Sequence, residues 1–162
     1  MKFNKISSTQ YWLDKMDQYI EYKDIKLPKR ATKGSAGYDI YSVTDFTLEP
    51  GQTIKLPTGI NIHLDEDKFL AIVPRSGLGF KYRTQLDNTI GIIDSDYSSS
   101  DNEGHIWLKI TNDSKNGHIV KIRQGEAICQ GIIMPYFKVE DDDTTETRNG
   151  GFGSTSIKVS IK

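Results

Sequence analysis

The sequence predicts an all-β domain of the sandwich, jelly-roll or barrel kind. Three observations predict it. Short apolar runs of strand length recur between Phe46 and Met134, turn formers such as EPG and KNG separate them, and helical periodicity is confined to the first 20 residues. At 162 residues the chain can bury one ordinary core but not two.

The elements follow in order. From Ser8 to Ile20 the apolar residues Trp12, Met16, Tyr19 and Ile20 recur at helical spacing, with Ser8 or Thr9 placed to cap the first turn. This predicts a short N-terminal helix within an extension covering residues 1–27. KLPKRATKGSAGYD is basic and rich in turn formers, a loop into the main body at 28–140. Phe46 to Leu48 makes a first strand. TIKLPTGINIHL alternates apolar residues at Ile54, Leu56, Ile60, Ile62 and Leu64, and its Pro-Thr-Gly interruption predicts a bulge or bend. Further strands are expected from Phe69 to Val73, Thr89 to Ile93, Ile106 to Ile110, Ile119 to Ile122 and Ala127 to Met134. Residues 141–162 begin acidic, turn glycine-rich and offer little to bury before Ile157, so they form a flexible arm. No internal repeat occurs, which argues against a solenoid or propeller.

Charge is nearly balanced, 21 basic against 22 acidic residues, so no overall field favours nucleic acid, membrane or an acidic partner. Any anion must be held locally. The single cysteine, Cys129, cannot form an internal disulfide and sits in a strand-like run, which suits a reducing compartment. No signal-type apolar core opens the chain and no segment approaches the ~20 apolar residues that span a bilayer, so a soluble cytoplasmic protein is expected.

Four segments are more specific than folding requires: GSAGYD, PRSGLG, NTIGIIDSDY and GGFGSTS. Each mixes glycine, which lets a backbone approach a ligand, with groups able to bind phosphate or act as a base. Together with Arg75 and Arg148 they suit a polyphosphate. The site is not a Walker loop, because no GxxxxGK[ST] follows a strand. Zinc is not indicated, since His63, His105 and His118 are scattered and neither HExxH nor CxxC occurs. Magnesium is compatible, because it keeps its waters and binds through substrate phosphates.

AGYDIYS, PRSGLG, NTIGIIDSDY, IRQGEAICQ and RNGGFGSTS occur in the order and approximate spacing of the five motifs of trimeric dUTPases. The chain resembles that family from about Pro28 to Ser156. The resemblance implies a distorted β-barrel or jelly-roll subunit with a flexible C-terminal lid, assembled as a homotrimer with shared active sites. It implies hydrolysis of dUTP to dUMP and pyrophosphate with Mg²⁺.

By the same resemblance Asp94 activates the attacking water. Gly91, Ile92 and Ile93 with Asn88 recognise uracil, Tyr97 packs under the deoxyribose, and Asp39 holds Mg²⁺ through water. Arg75, Ser76, Gly77 and Gln130 contact the phosphates. In the lid, Phe152 stacks on the base, Arg148 reaches the γ-phosphate, and Gly153, Ser154 and Thr155 line the phosphates. Plainer readings stand beside these: Asp94 and Asp39 as turn residues, Tyr97 as a core cap, Gln130 as a strand-edge donor, and the glycine-rich tail as simple disorder. The aliphatic run of NTIGIIDSDY is expected to make a rigid hairpin in the core wall, which Asp96 supports through hydrogen bonds without taking part in the chemistry.

Two departures from the family pattern stand out. RNGGF is one residue shorter between arginine and phenylalanine than is usual, and YSSSDNEG delays a glycine to Gly104. The extra polar loop from Ser98 to Glu103 is either surface decoration or a docking site for a protein partner. The N-terminal helix also lies outside the resemblance. Two other functions share the fold: a dCTP deaminase, whose proton-handling glutamate and arginine-rich second motif are missing here, and a nucleotide-responsive protein-binding switch.

Overall fold

The alternating apolar pattern becomes strands almost wherever it runs. The structure, a computed structural model, describes residues 1–14, 19–146 and 148. Its elements in order are β1 Lys2–Lys5, α1 Ser8–Asp14, β2 Lys29–Arg30, β3 Tyr38–Tyr41, β4 Phe46–Leu48, β5 Thr53–Pro57, β6 Ile60–His63 and β7 Lys68–Pro74. Then come α2 Ser76–Tyr82, β8 Thr84–Leu86, β9 Gly91–Ile93, β10 Trp107–Asn112, β11 Val120–Ile122 and β12 Ala127–Pro135. All pairings are antiparallel, and the largest sheet runs β2-β3-β12-β7-β9. A three-stranded sheet β5-β10-β8 and the pairs β1-β6 and β4-β11 complete an all-β, jelly-roll-like fold.

Alternation decides the core. In β10 Leu108 and Ile110 point inward while Lys109 is exposed. Leu56, Ile60, Ile62, Leu70, Ile72 and Ile128 join them in one buried cluster. The predicted bend in TIKLPTGINIHL separates β5 from β6.

The N-terminal segment belongs to this body. β1 pairs with β6 from Lys2 opposite His63 to Lys5 opposite Ile60. Ser7, not Ser8 or Thr9, caps α1, its hydroxyl accepting the Gln10 N–H at 3.0 Å. The buried residue of this helix is Tyr11, whose phenol donates to the Ile20 carbonyl at 2.8 Å, whereas Trp12 is 56% exposed. Pairing of β1 fixes the direction in which the helix leaves the sheet, and that turns Tyr11 inward. Met16, expected on the same face, lies outside the described residues.

Two expectations are corrected. Ser76–Tyr82 forms α2 within a body expected to be β throughout; two glycines and the lack of apolar period hide it, and a left-handed Arg83 at φ 51° turns its end into β8. NTIGIIDSDY is neither a buried strand nor a paired hairpin. β8 pairs with β10 and β9 with β7, so the stretch crosses between two sheets. Thr89 makes the turn at φ 66°, and only Gly91–Ile93 is strand. As the last strand of its sheet β9 packs Ile93 on the core and leaves Ile92 47% exposed.

Among the described residues no helix is long and apolar enough to cross a membrane. The Cys129 thiol is buried and pushed up to about 12 by desolvation, so it is not a reactive group.

His105 is fully buried between the N-terminal segment and β6. Its Nδ1 is 2.7 Å from Asp14 Oδ2, and its Nε2 accepts the Gly59 N–H at 2.9 Å. That pairing holds the neutral ring with its proton on Nδ1. Burial pushes the imidazole below its ordinary value, with Asp14 opposing. The unfolded chain therefore takes up the proton first, so this group's contribution is complete above about pH 6.5 and is lost as pH falls below it. Urea unfolding from pH 7.5 to pH 5 should show stability declining below about pH 6.5, by at most ~1.4 kcal/mol per pH unit from this residue. The His105→Gln variant should lack that component.

Candidate active site

The sheet carries two clusters of predicted site residues, at different places along β7. The first gathers where β7 ends. β3 sets Asp39 opposite Gln130 of β12, and Gln130 in turn lies opposite Val73 of β7. The Asp39 carboxylate, 17% exposed, meets the Arg75 Nε at 2.9 Å, and Arg75 also donates to the Ala127 carbonyl at 3.3 Å. Gln130 Nε2 donates to the Pro74 carbonyl at 3.2 Å. Gly37 makes this possible, since a Cβ there would sit 2.2 Å from Gln130 Oε1. Ser76 and Gly77 are exposed on the first turn of α2, where helix geometry leaves N–H groups without intrahelical acceptors.

The second cluster surrounds a cavity of about 570 Å³ whose lining includes Asn88, Gly91, Ile92, Ile93, Tyr97 and Arg148. The wall is largely aliphatic, with Tyr97 buried in it and Trp107 contributed by β10. β9 is an edge strand, so its outer N–H and C=O groups face away from the β7 ladder and can address a ligand. Asp94 follows directly, at the N-cap of a 3-10 turn over Ser95–Ser99, and its side chain makes no capping hydrogen bond. A turn aspartate would spend its carboxylate on those N–H groups. Asp94 Oδ2 instead accepts from Arg148 Nη2 at 2.5 Å, and the guanidinium lies 5.8 Å from the Tyr97 ring centre.

Sequence reasoning missed several partners. Asp96 accepts the Arg148 backbone N–H at 3.3 Å and lies 3.7 Å from its Nε, so it helps hold the arm. Its place two residues after Asp94 was the available signal. Lys109 pairs with Asp87 at 2.6 Å on the cavity rim, and that hydrogen bond, with one from Thr111, holds the Asp87 carboxyl below its usual range. Neither residue stands in a recognisable motif. Phe152, Gly153 and Ser154 lie outside the described residues, as does Thr155.

Gly91 is level with Ile72 and Ile93 with Leu70, so Arg75, just past the end of β7, stands three to five residues further along, about 10–17 Å at ~3.3 Å per residue.

A family model described as dUTPase matches residues 23–156. The chain is 42% identical over 142 residues to the deoxyuridine 5'-triphosphate nucleotidohydrolase of Hydrogenovibrio crunogenus, covering 82% of this chain and 88% of that protein. The crystal structure of dUTPase from Streptococcus mutans superposes with a TM-score of 0.67 at 29% identity, covering 86% of this chain and 99% of that one. A dUTPase from phage phi11 of S. aureus, described with a structural Mg(II) ion, shares the fold with a TM-score of 0.63 at 21% identity, covering 90% and 96%. The match runs through every described segment that builds the two clusters, and on that ground the chain belongs to the dUTPase family.

Proposed function

We propose that the chain is a dUTP diphosphatase, hydrolysing dUTP to dUMP and pyrophosphate by attack of water on the α-phosphorus. Such an enzyme limits uracil incorporation into DNA and supplies dUMP for dTMP synthesis, and we assign it to the cytoplasm. The observation that carries the reading is Asp94: a carboxylate not used for capping, at the end of an edge strand that lines a cavity roomy enough for a nucleoside.

Uracil presents O4 as an acceptor and N3–H as a donor. The outer edge of Gly91–Ile93, with the Asn88 side chain, offers the complementary pair, and cytosine would leave those groups unpaired. The aliphatic wall around Ile92 refuses thymine by shape, since a 5-methyl needs room the wall occupies. Tyr97 presents its ring to the sugar and crowds a 2′-hydroxyl.

Water is a weak nucleophile at neutral pH. Asp94 takes its proton as the bond to phosphorus forms, a contribution of roughly 10²–10⁴ in rate. Arg75, Ser76, Gly77 and Gln130 hold the phosphate chain by guanidinium, hydroxyl, N–H and amide donors. Arg148 moves from Asp94 to the γ-phosphate, Phe152 covers the base, and Gly153 and Ser154 close over the phosphates.

A magnesium ion fits this donor set. Among the described residues no group of three His, Cys, Asp or Glu could cage a metal. One carboxylate, Asp39, stands beside a phosphate-binding arginine, which suits an ion held by phosphates and waters. Held through water by Asp39, such an ion would neutralise triphosphate charge and help order the phosphates.

We place the Asp39–Arg75 cluster of one copy beside the β9 cavity of another, as in a homotrimer with sites at subunit junctions, an arrangement that the family resemblance implies.

Two measurements test these assignments. Asp94→Asn should lower kcat for pyrophosphate release by at least ~10² while the Kd of a non-cleavable dUTP analogue changes less than about threefold. Unchanged turnover would remove Asp94 from its role. Separately, inactive Asp94→Asn and Arg75→Ala chains, unfolded and refolded together in equal amounts, should regain about a quarter of wild-type activity, because one site in four draws both intact residues from different copies. No recovery would show that each chain builds its own site.

A further inference from the structure

The loop at 98–103 and the N-terminal segment, both outside the family pattern, are bonded to each other. The Glu103 carboxylate accepts the Ser7 N–H at 2.6 Å and the Ser7 hydroxyl at 2.5 Å, and its carbonyl accepts from Asn61 Nδ2 at 2.7 Å. Glu103 itself is left-handed at φ 57°, a conformation unfavourable to a side-chain-bearing residue, so these three bonds have something to offset. Gly104 follows at φ 66°, where a Cβ would meet Ser98 Cα at 2.6 Å and the Tyr97 carbonyl at 2.7 Å. A loop serving only as decoration would need neither the strain nor the stitching.

What the loop reaches is Tyr97. Asn102 Nδ2 donates to the Tyr97 phenol oxygen at 3.0 Å, and the phenol donates to the His105 carbonyl at 3.0 Å. Asn102 is held in turn: its Oδ1 accepts the Gly104 N–H at 3.2 Å and its carbonyl accepts the His105 N–H at 3.0 Å. The phenol thus has a donor and an acceptor on fixed backbone-anchored partners, and the ring, only 4% exposed, cannot tilt without breaking one of them.

We propose that Asn102 is a positioning residue for sugar discrimination: it fixes the Tyr97 ring in the cavity wall so that a 2′-deoxy sugar fits and a 2′-hydroxyl does not. The inference rests on the reading of Tyr97 as the sugar-facing ring. With one anchor gone the ring can yield by the few tenths of an ångström that a hydroxyl needs, so discrimination suffers before folding does.

The test compares kcat/KM for dUTP and UTP, read by pyrophosphate release from the full chain and from Asn102→Ala, Tyr97→Phe and Tyr97→Ala. Asn102→Ala should lower the dUTP-to-UTP ratio about 3- to 10-fold, the range that one hydrogen bond represents; Tyr97→Phe, which also loses the bond to His105, should lower it at least as much, and the double variant should lose no more than Tyr97→Phe. Tyr97→Ala should lower the ratio further. A wild-type ratio in both Asn102→Ala and Tyr97→Phe, with a lowered one in Tyr97→Ala, overturns the inference while leaving the sugar reading intact. An unaltered ratio in Tyr97→Ala overturns both. If Asn102→Ala does not fold, a wild-type ratio in Tyr97→Phe still overturns the inference, since that change removes the bond from Asn102 together with the one to His105 and leaves the loop in place.

Discussion

The register of β7 is the constraint on which the rest of the site depends. β7 is held on both sides, by β12 along its whole length and by β9 at Leu70–Ile72. That double pairing fixes where each predicted site residue can stand. β12 brings Gln130 beside Val73, and β3 brings Asp39 beside Gln130, so a guanidinium, an amide and a carboxylate converge where β7 ends. On the other side β9 stops level with Leu70 and hands the chain to Asp94. A one-residue slip of β7 would turn Leu70 and Ile72 out of the core and shift both clusters at once. Packing therefore guards the chemistry, because the cost of exposing those aliphatic side chains is levied on any misregistered site.

The edge position of β9 answers why so apolar a stretch ends in acids. An interior strand would bury Ile90 and Ile92 and use both sides of its backbone in ladders. At an edge, one side pairs with β7 and the other remains open to a ligand. Ile92, which a core would absorb, here joins Ile93 in the wall of a cavity. Apolar composition signalled a wall, and the acids mark where the wall meets solvent.

How much of this was legible in the sequence varies with the kind of force involved. Period-two alternation reveals strands because burial acts residue by residue, and β4, β5, β6, β10 and β12 stand close to where it puts them. α2 and the cap at Ser7 were not legible, because each depends on a neighbour: Arg83 turning left-handed into β8, or Glu103 arriving from 96 residues away. Motif residues showed in the sequence as chemical types, yet their grouping did not. Nothing in PRSGLG says that Arg75 will pair with Asp39, or in SDY that Asp96 will hold Arg148. The Tyr97 surroundings were the least visible part, since Asn102 and Glu103 are ordinary loop residues until the fold folds them back.

The ion pair between Arg148 and Asp94 links the arm to the chemistry. Asp94 Oδ2 is occupied by the guanidinium at 2.5 Å, so a water cannot take that place while the pair stands. In the proposed reaction the guanidinium must therefore leave before the base can act. A triphosphate is well suited to draw it off, since a γ-phosphate carries more charge than one carboxylate and also offers two oxygens to the guanidinium fork. Both partners are partly exposed, so the pair is weakened by solvent screening and can open without a large barrier. The arrangement ties release of the base to arrival of the substrate's own charge: the arginine that quiets Asp94 in the free chain is the one that the phosphates claim.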